Sequence, residues 1–142
     1  ALPLLDRAGG MALAAEKKEL GADLRVDLAR VLVRLNRPED AASALAEARE
    51  ADGLNVEAWL LSATLSRRLE RLGEAQAQIE RAAMLDPRNP QIGLEAGVIA
   101  AMAGRADDAR ASFQSVLAVA PGTPYAERAQ GYLTQLDSSE TE

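Results

Sequence analysis

Apolar residues recur along this chain three and four positions apart, and the phase of that recurrence restarts at a fixed interval. From Val56 the chain reads VEAWLLSATLSRRLERLGEAQAQIERAAMLDPRN, 34 residues ending at Asn89. Ala22 to Asn55 precedes it, and Pro90 to Thr123 follows it, in the same register. Numbered 1 to 34 within each stretch, position 8 is Ala29, Ala63 and Gly97, and position 20 is Ala41, Ala75 and Ala109. Position 27 is Ala48, Ala82 and Val116. Position 24 carries a large apolar residue each time, Leu45, Ile79 and Phe113, and position 32 carries a helix stop, Gly53, Pro87 and Pro121. No insertion disturbs the spacing over 102 of the 142 residues, so the unit of this fold is a repeated pair of helices. Small residues at 8, 20 and 27 let two antiparallel helices approach closely, and the bulky residue at 24 fills the space between units. One such pair cannot bury its own apolar face, so neighbouring pairs must complete the core.

Local punctuation places the elements. Residues 1–21 hold Leu4-Leu5, then Gly9-Gly10, then a strong helix former ending in Lys17-Lys18 and Gly21, as a helix C-terminus should. With the register extended backwards, Met11 falls at position 24 and Ala14 at 27. This flank reads either as the second helix of an incomplete repeat or as a cap on the first. The first unit then opens with a helix from Ala22 to Leu35, broken at Asn36-Arg37-Pro38; Pro38, Glu39 and Asp40 start its partner, which runs to Ala51. Asn55 caps the next helix, expected to reach Arg71, and Gly73 marks the turn into a helix from Glu74 to Leu85. Asn89 and Pro90 open the third unit, which turns at Gly104 and stops at Pro121-Gly122. Thr123-Pro124 opens a last helix to about Leu136, with Gly131 at position 8 of a would-be fourth unit, and the acidic tail DSSETE is expected to fray. The expectation is an all-α, right-handed solenoid of about eight helices. Its divisions are 1–21 (flanking helix), 22–55, 56–89 and 90–123 (repeats), and 124–142 (capping helix and tail).

Composition narrows the chemistry. Hydrophobic residues make up 48% of the chain and aromatics only 3%, which suits close helix packing and suits a β-sandwich poorly. There is no Cys and no His, which removes disulfides, thiolate chemistry and the usual zinc ligands and leaves the redox compartment undetermined. A net charge of −6 argues against nucleic acid as a partner. No apolar run reaches the ~18 residues of a membrane span. The chain begins at Ala1 without Met, as a processed or excised piece would, so a signal peptide or anchor would lie upstream. Cytoplasmic and exported locations both stay open.

Catalysis needs a nucleophile, a base or a metal in convergent geometry. Asp107 and Asp108 are adjacent, so they point apart on a helix and suit a helix N-terminus. Glu47 and Glu50 flank Arg49 as a solvated face, and Gly9-Gly10 lacks the GK[ST] of a phosphate loop. The expectation is no enzyme and no cofactor or metal.

The repeated residues resemble the tetratricopeptide repeat, whose pattern places a Trp, a Leu-Gly pair, a Tyr, an Ala, a Phe and a Pro at these positions. Trp59, Gly97, Ala109, Phe113 and Pro121 fall on them. Arg25 and Gly93 replace the Trp, and Leu32, Ser66 and Ala100 replace the Tyr. The resemblance implies a protein-binding scaffold in which the first helices line a concave groove, with contacts at positions 2, 5, 9, 12 and 13, which share a face by helical spacing. Those positions give the candidate site: Val26, Leu60 and Leu94 at position 5; Arg30, Thr64 and Val98 at 9; Val33 and Arg67 at 12; Arg34, Arg68 and Met102 at 13. The first three would form an apolar stripe, and the four arginines a cationic edge. The implied partner is a protein or peptide, an amphipathic segment with acidic flanks. The family's clamp for a C-terminal carboxylate resembles Lys at 5 and Asn at 9, which this sequence lacks, so a chaperone-tail adaptor is not expected. Two other readings stay open: a non-catalytic arm of a larger enzyme or sensor, and a self-associating unit that stacks end to end.

Overall fold

Arginine precedes the second helix of all three units, and the residue before that arginine turns the chain. Asn36, Glu70 and Gly104, each at position 15, adopt φ of 59°, 61° and 80°. In each turn two backbone bonds close the preceding helix: Asn36 N–H donates to Val33 at 3.0 Å and Arg37 to Leu32 at 2.8 Å, Glu70 to Arg67 at 2.9 Å and Arg71 to Ser66 at 2.8 Å, and Gly104 to Ala101 at 3.1 Å and Arg105 to Ala100 at 2.9 Å. The carbonyls of those arginines then accept from Ala41, Ala75 and Ala109, so position 16 begins the next helix as position 15 ends the last.

The computed structural model describes the backbone of residues 2–141 and the side chains of residues 13–139. Its described residues form seven helices: α1 (Leu2–Arg34), α2 (Pro38–Ala51), α3 (Val56–Arg68), α4 (Leu72–Leu85), α5 (Pro90–Met102), α6 (Ala106–Val119) and α7 (Pro124–Thr141). The class is the all-α helix-pair repeat that the register implied. Three boundaries differ from the sequence reading. The stop expected at Gly21 is absent, and one helix runs through Gly9, Gly10 and Gly21. An isolated glycine costs a helix only about 1 kcal/mol, and the flanking Ala, Leu, Glu and Lys repay it. Gly73 does not turn the chain either; it is the second residue of α4, and Glu70 takes the left-handed conformation instead. The acidic tail is helical to Thr141, with Asp137 reached by Arg110 at 3.4 Å.

Capping follows the sequence. Asn55 Oδ1 accepts from Ala58 N–H at 2.9 Å, Asn89 Oδ1 from Gln91 N–H at 3.0 Å and Thr123 Oγ1 from Ala126 N–H at 3.3 Å. The chain divides into two compact units, residues 1–61 and 62–142. In the first, Ala22, Val26, Ala29 and Leu32 of α1 and Ala41, Ala44, Leu45 and Ala48 of α2 are buried. Trp59 donates through Nε1 to the Gly53 carbonyl at 2.9 Å, and the Arg49 guanidinium lies 5.2 Å from its ring centroid. In the second unit, Leu94, Ala100, Ala109, Phe113, Val116, Ala129 and Leu133 form one core cluster. Buried Ser66, at the family's Tyr position, donates to Gln78 Oε1 at 2.7 Å, so its hydroxyl is satisfied.

Candidate functional site

Position 5 lies one helical turn from position 8, the tightest point of each helix pair, and that spacing decides its fate. Val26, Leu60 and Leu94 are 2, 2 and 7% exposed, so they are core residues and present little surface to a ligand. The expected apolar stripe at position 5 is therefore corrected: on α1, Ala22, Val26 and Ala29 share one inward line at i, i+4 and i+7. The surface-accessible apolar residues of the candidate set are Val33, Met102 and the half-buried Val98.

The arginines split by what they hold. In the first unit Arg30 reaches Asp27 at 3.0 Å and Glu57 at 2.6 Å, and both bonds are internal to that unit. Arg34 is exposed. In the second unit Arg67 Nε donates to Glu95 Oε1 at 2.5 Å, with both side chains largely buried. Arg67 is thus neutralised where it lies, and its planar fork sets the position of Glu95. Arg68, next to it, is exposed and forms no ion pair among the described residues.

Within the second unit a cleft of about 280 Å³ opens between the first-helix faces, lined by Thr64, Arg67, Arg68, Gln91, Leu94, Glu95, Val98, Arg128 and Tyr132. Five of the eleven sequence candidates meet there: Thr64, Arg67, Arg68, Leu94 and Val98. Met102 lies on α5 outside the lining, and Val26, Arg30, Val33, Arg34 and Leu60 belong to the first unit. Four lining residues were not among the candidates: Gln91, Glu95, Arg128 and Tyr132. Gln91 is at position 2, and Arg128 and Tyr132 are at positions 5 and 9 of the unit that begins at Pro124. Position 2 of the third unit finds Gln91, and the same register carried one repeat further finds Arg128 and Tyr132. Only Glu95, at position 6, needed the structure.

The cleft is lined by more polar than apolar surface, with Val98, Tyr132 and the nearly buried Leu94 as its apolar residues and Arg68 and Arg128 as exposed cations. Tyr132 stacks on Phe113 with ring centroids 4.9 Å apart and an interplanar angle of 17°, which fixes the phenol ring at the cleft edge. Arg128 enters from the first turns of α7 and, like Arg68, forms no ion pair among the described residues. No group of three or more metal-ligating side chains converges among the described residues, and no described helix is long and apolar enough to cross a membrane.

The sequence model of the tetratricopeptide repeat family matches residues 26–83 and again residues 60–127. Comparison with curated proteins finds no match. Among solved structures, the first such domain of Spaghetti (RPAP3), bound to the HSP90 peptide SRMEEVD, is similar with a TM-score of 0.81 at 14% identity, over 87% of this chain and 96% of that one. The second domain of human RPAP3, in complex with the HSP70 peptide SGPTIEEVD, gives 0.75 at 19% identity, over 86% and 97%. The Yersinia enterocolitica type III secretion chaperone SycD, in complex with a peptide of the translocator YopD, gives 0.77 at 14% identity, over 83% and 93%. Identities this low carry the fold and nothing finer.

Proposed function

Because the chain belongs to the tetratricopeptide repeat family, we propose that it is a non-catalytic scaffold holding a peptide or partner helix in the cleft of residues 62–142. The observation that carries this reading is the cleft itself, in which Val98 and the Tyr132 ring, over the nearly buried Leu94, give apolar contacts within a mostly polar lining beside Arg68 and Arg128. Solved neighbours of this fold hold peptides, which supports the reading at the level of ligand class.

The ligand that fits is an amphipathic segment with one or two apolar anchors and carboxylates beside them. Anchors seat on Val98 and the Tyr132 face, with Leu94 beneath, and the carboxylates pair with Arg68 and Arg128. Glu95 discriminates: it is held by Arg67, so a carboxylate brought to that wall meets a like charge, while a ligand N–H finds an acceptor. The overall charge of −6 does not forbid an acidic ligand, because exposed charges beyond about 8 Å are largely screened at physiological salt. Val26 and Leu60 are buried in the first unit and take no part, and Arg30 is held by Asp27 and Glu57.

The test begins with selection from a displayed library of random 12-residue peptides against the whole chain. Enriched peptides should pair large apolar residues with Asp or Glu. Arg68→Glu combined with Arg128→Glu should slow their association about tenfold and flatten its salt dependence, since charges at the rim of an interface act mainly on the association rate. Val98→Asp should speed dissociation. Peptides that bind with unchanged rates to all these variants, and crosslink instead to α6, would sink the reading.

A further inference from the structure

Helix α1 is apolar on two opposite faces. Ala22, Val26, Ala29 and Leu32 are buried, and on the other side Leu13, Leu20, Leu24, Leu28, Val31 and Leu35 are 48–62% exposed. At about 100° per residue those six fall within a sector roughly 80° wide. The stripe is about 33 Å long at 1.5 Å per residue. A helix face of that length has no solubility purpose, and an apolar stripe of this size, interrupted at Lys17, is of the kind that often serves as an interaction surface.

The order of residues within the stripe names its occupant. Five of its six residues are symmetric about Leu24: Leu20 and Leu28 lie four residues to either side, and Leu13 and Leu35 eleven. Two copies laid antiparallel with Leu24 on the two-fold axis set Leu24 against Leu24, Leu20 against Leu28 and Leu13 against Leu35. Val31 then meets Lys17, whose aliphatic stem covers it while the ammonium reaches water. The charges agree. Glu16 and Arg34 are 18 residues apart, which is five whole turns, so they lie on one flank of the stripe. In the antiparallel register each Glu16 lies opposite position 32 of the other copy, about one Arg reach from its Arg34. Both side chains are exposed.

We propose that this face of α1 pairs with the same face of a second copy of the chain, antiparallel about Leu24, to form a two-fold dimer. The strip is about 10 Å wide, so its footprint falls below the roughly 800 Å² per partner of a standard stable interface. The dimer is accordingly weak and concentration-dependent. It uses residues of the first unit and none of those that line the cleft, so its failure and the failure of the scaffold reading are separate results.

Light scattering across roughly 5–500 µM reads the mass directly, and the chain should rise from 15.0 kDa towards twice that. Leu24→Glu should hold it at the monomer mass with unchanged helix content, because Leu24 is exposed and not part of the core. Glu16→Arg and Arg34→Glu should each weaken association by about two- to fivefold, and together restore it. The chain has no native cysteine, so single introduced thiols report orientation. Leu24→Cys should form an interchain disulfide by itself; Leu13→Cys alone should not, but Leu13→Cys mixed with Leu35→Cys should. A constant 15.0 kDa at every concentration would overturn the proposal. Efficient linking through Leu13→Cys alone would overturn the antiparallel pairing.

Discussion

The first helix pair, α1 with α2, and the third, α5 with α6, share one register and fill its centre in different ways. Position 8 is Ala29 in the first and Gly97 in the third, while position 24 is Leu45 in the first and Phe113 in the third; all are buried. The exchange is compensatory. A Cβ built on Gly97 would sit 2.3 Å from Cε1 of Phe113, so the glycine exists to admit the ring. The ring in turn stacks on Tyr132 of α7, a contact that Leu45 has no means to make. Gly93 repeats the device with Val116, whose Cγ2 lies 2.7 Å from a built Cβ. A repeat thus conserves the volume at the helix crossing rather than the residue, and a smaller partner on one helix licenses a larger one on the other.

The part that the two pairs share should give the largest effects. Ala41→Asp and Ala109→Asp, at fully buried position 20, should each destabilise by roughly 3–5 kcal/mol through overpacking and a buried charge. Chemical denaturation followed by circular dichroism measures this, and Ala75→Asp should behave alike. Arg88→Asp, in an exposed turn, should cost under ~0.5 kcal/mol. Similar midpoints for Ala109→Asp and Arg88→Asp would break the register.

The compensated contact comes next. Gly97→Ala should cost about 1–3 kcal/mol by overpacking, and Phe113→Leu a comparable amount by leaving a void. Together they rebuild the arrangement of the first pair and should cost less than the two losses added, a coupling of at least ~0.5 kcal/mol in a double-mutant cycle. In the first pair the sign reverses: Leu45→Phe should destabilise while Ala29 is present and recover with Ala29→Gly. Strict additivity in either pair would show that positions 8 and 24 do not share a volume.

Removing residues 124–142 takes Ala129, Leu133 and Tyr132 away from Phe113 and Val116. Exchange protection should fall first in α5 and α6 and little in α2, since stacked repeats feel mainly their neighbours. Equal loss in α2 would mean that the repeats unfold as one block.

The turns give the smallest effect. Glu70 holds φ of 61°, a conformation that costs an L-residue roughly 1–2 kcal/mol and glycine almost nothing. Glu70→Gly recovers part of this and loses some to chain entropy, for a net gain of about 0.5 kcal/mol. Gly104→Ala should lose about 1 kcal/mol at the same position, where nothing lies within 4 Å of a built Cβ, so the loss is conformational rather than steric. Thermal melts resolve both, at roughly 3–5 °C per kcal/mol for a chain of this size. A neutral Gly104→Ala would mean that φ relaxes there.

The sequence by itself determined the class, the 34-residue register and most helix ends, because each is local or periodic. Asn55, Asn89 and Thr123 cap as their chemistry requires, and the small residues at 8, 20 and 27 are buried wherever their side chains recur. Carrying the same count past Thr123 would also have placed Arg128 and Tyr132 at the cleft, since positions 5 and 9 of α7 follow the pattern. Only tertiary structure decided the rest. Whether position 5 is surface or core depends on what packs across it, and Val26, Leu60 and Leu94 turn out to be core. Whether an arginine is available depends on carboxylates far along the chain: Arg67 is taken by Glu95, 28 residues away, and Arg30 by Glu57, 27 away. Gly21 looked like a stop and Glu70 did not, because a helix break is settled by the net of local cost and packing gain, and packing is the term that a sequence does not print.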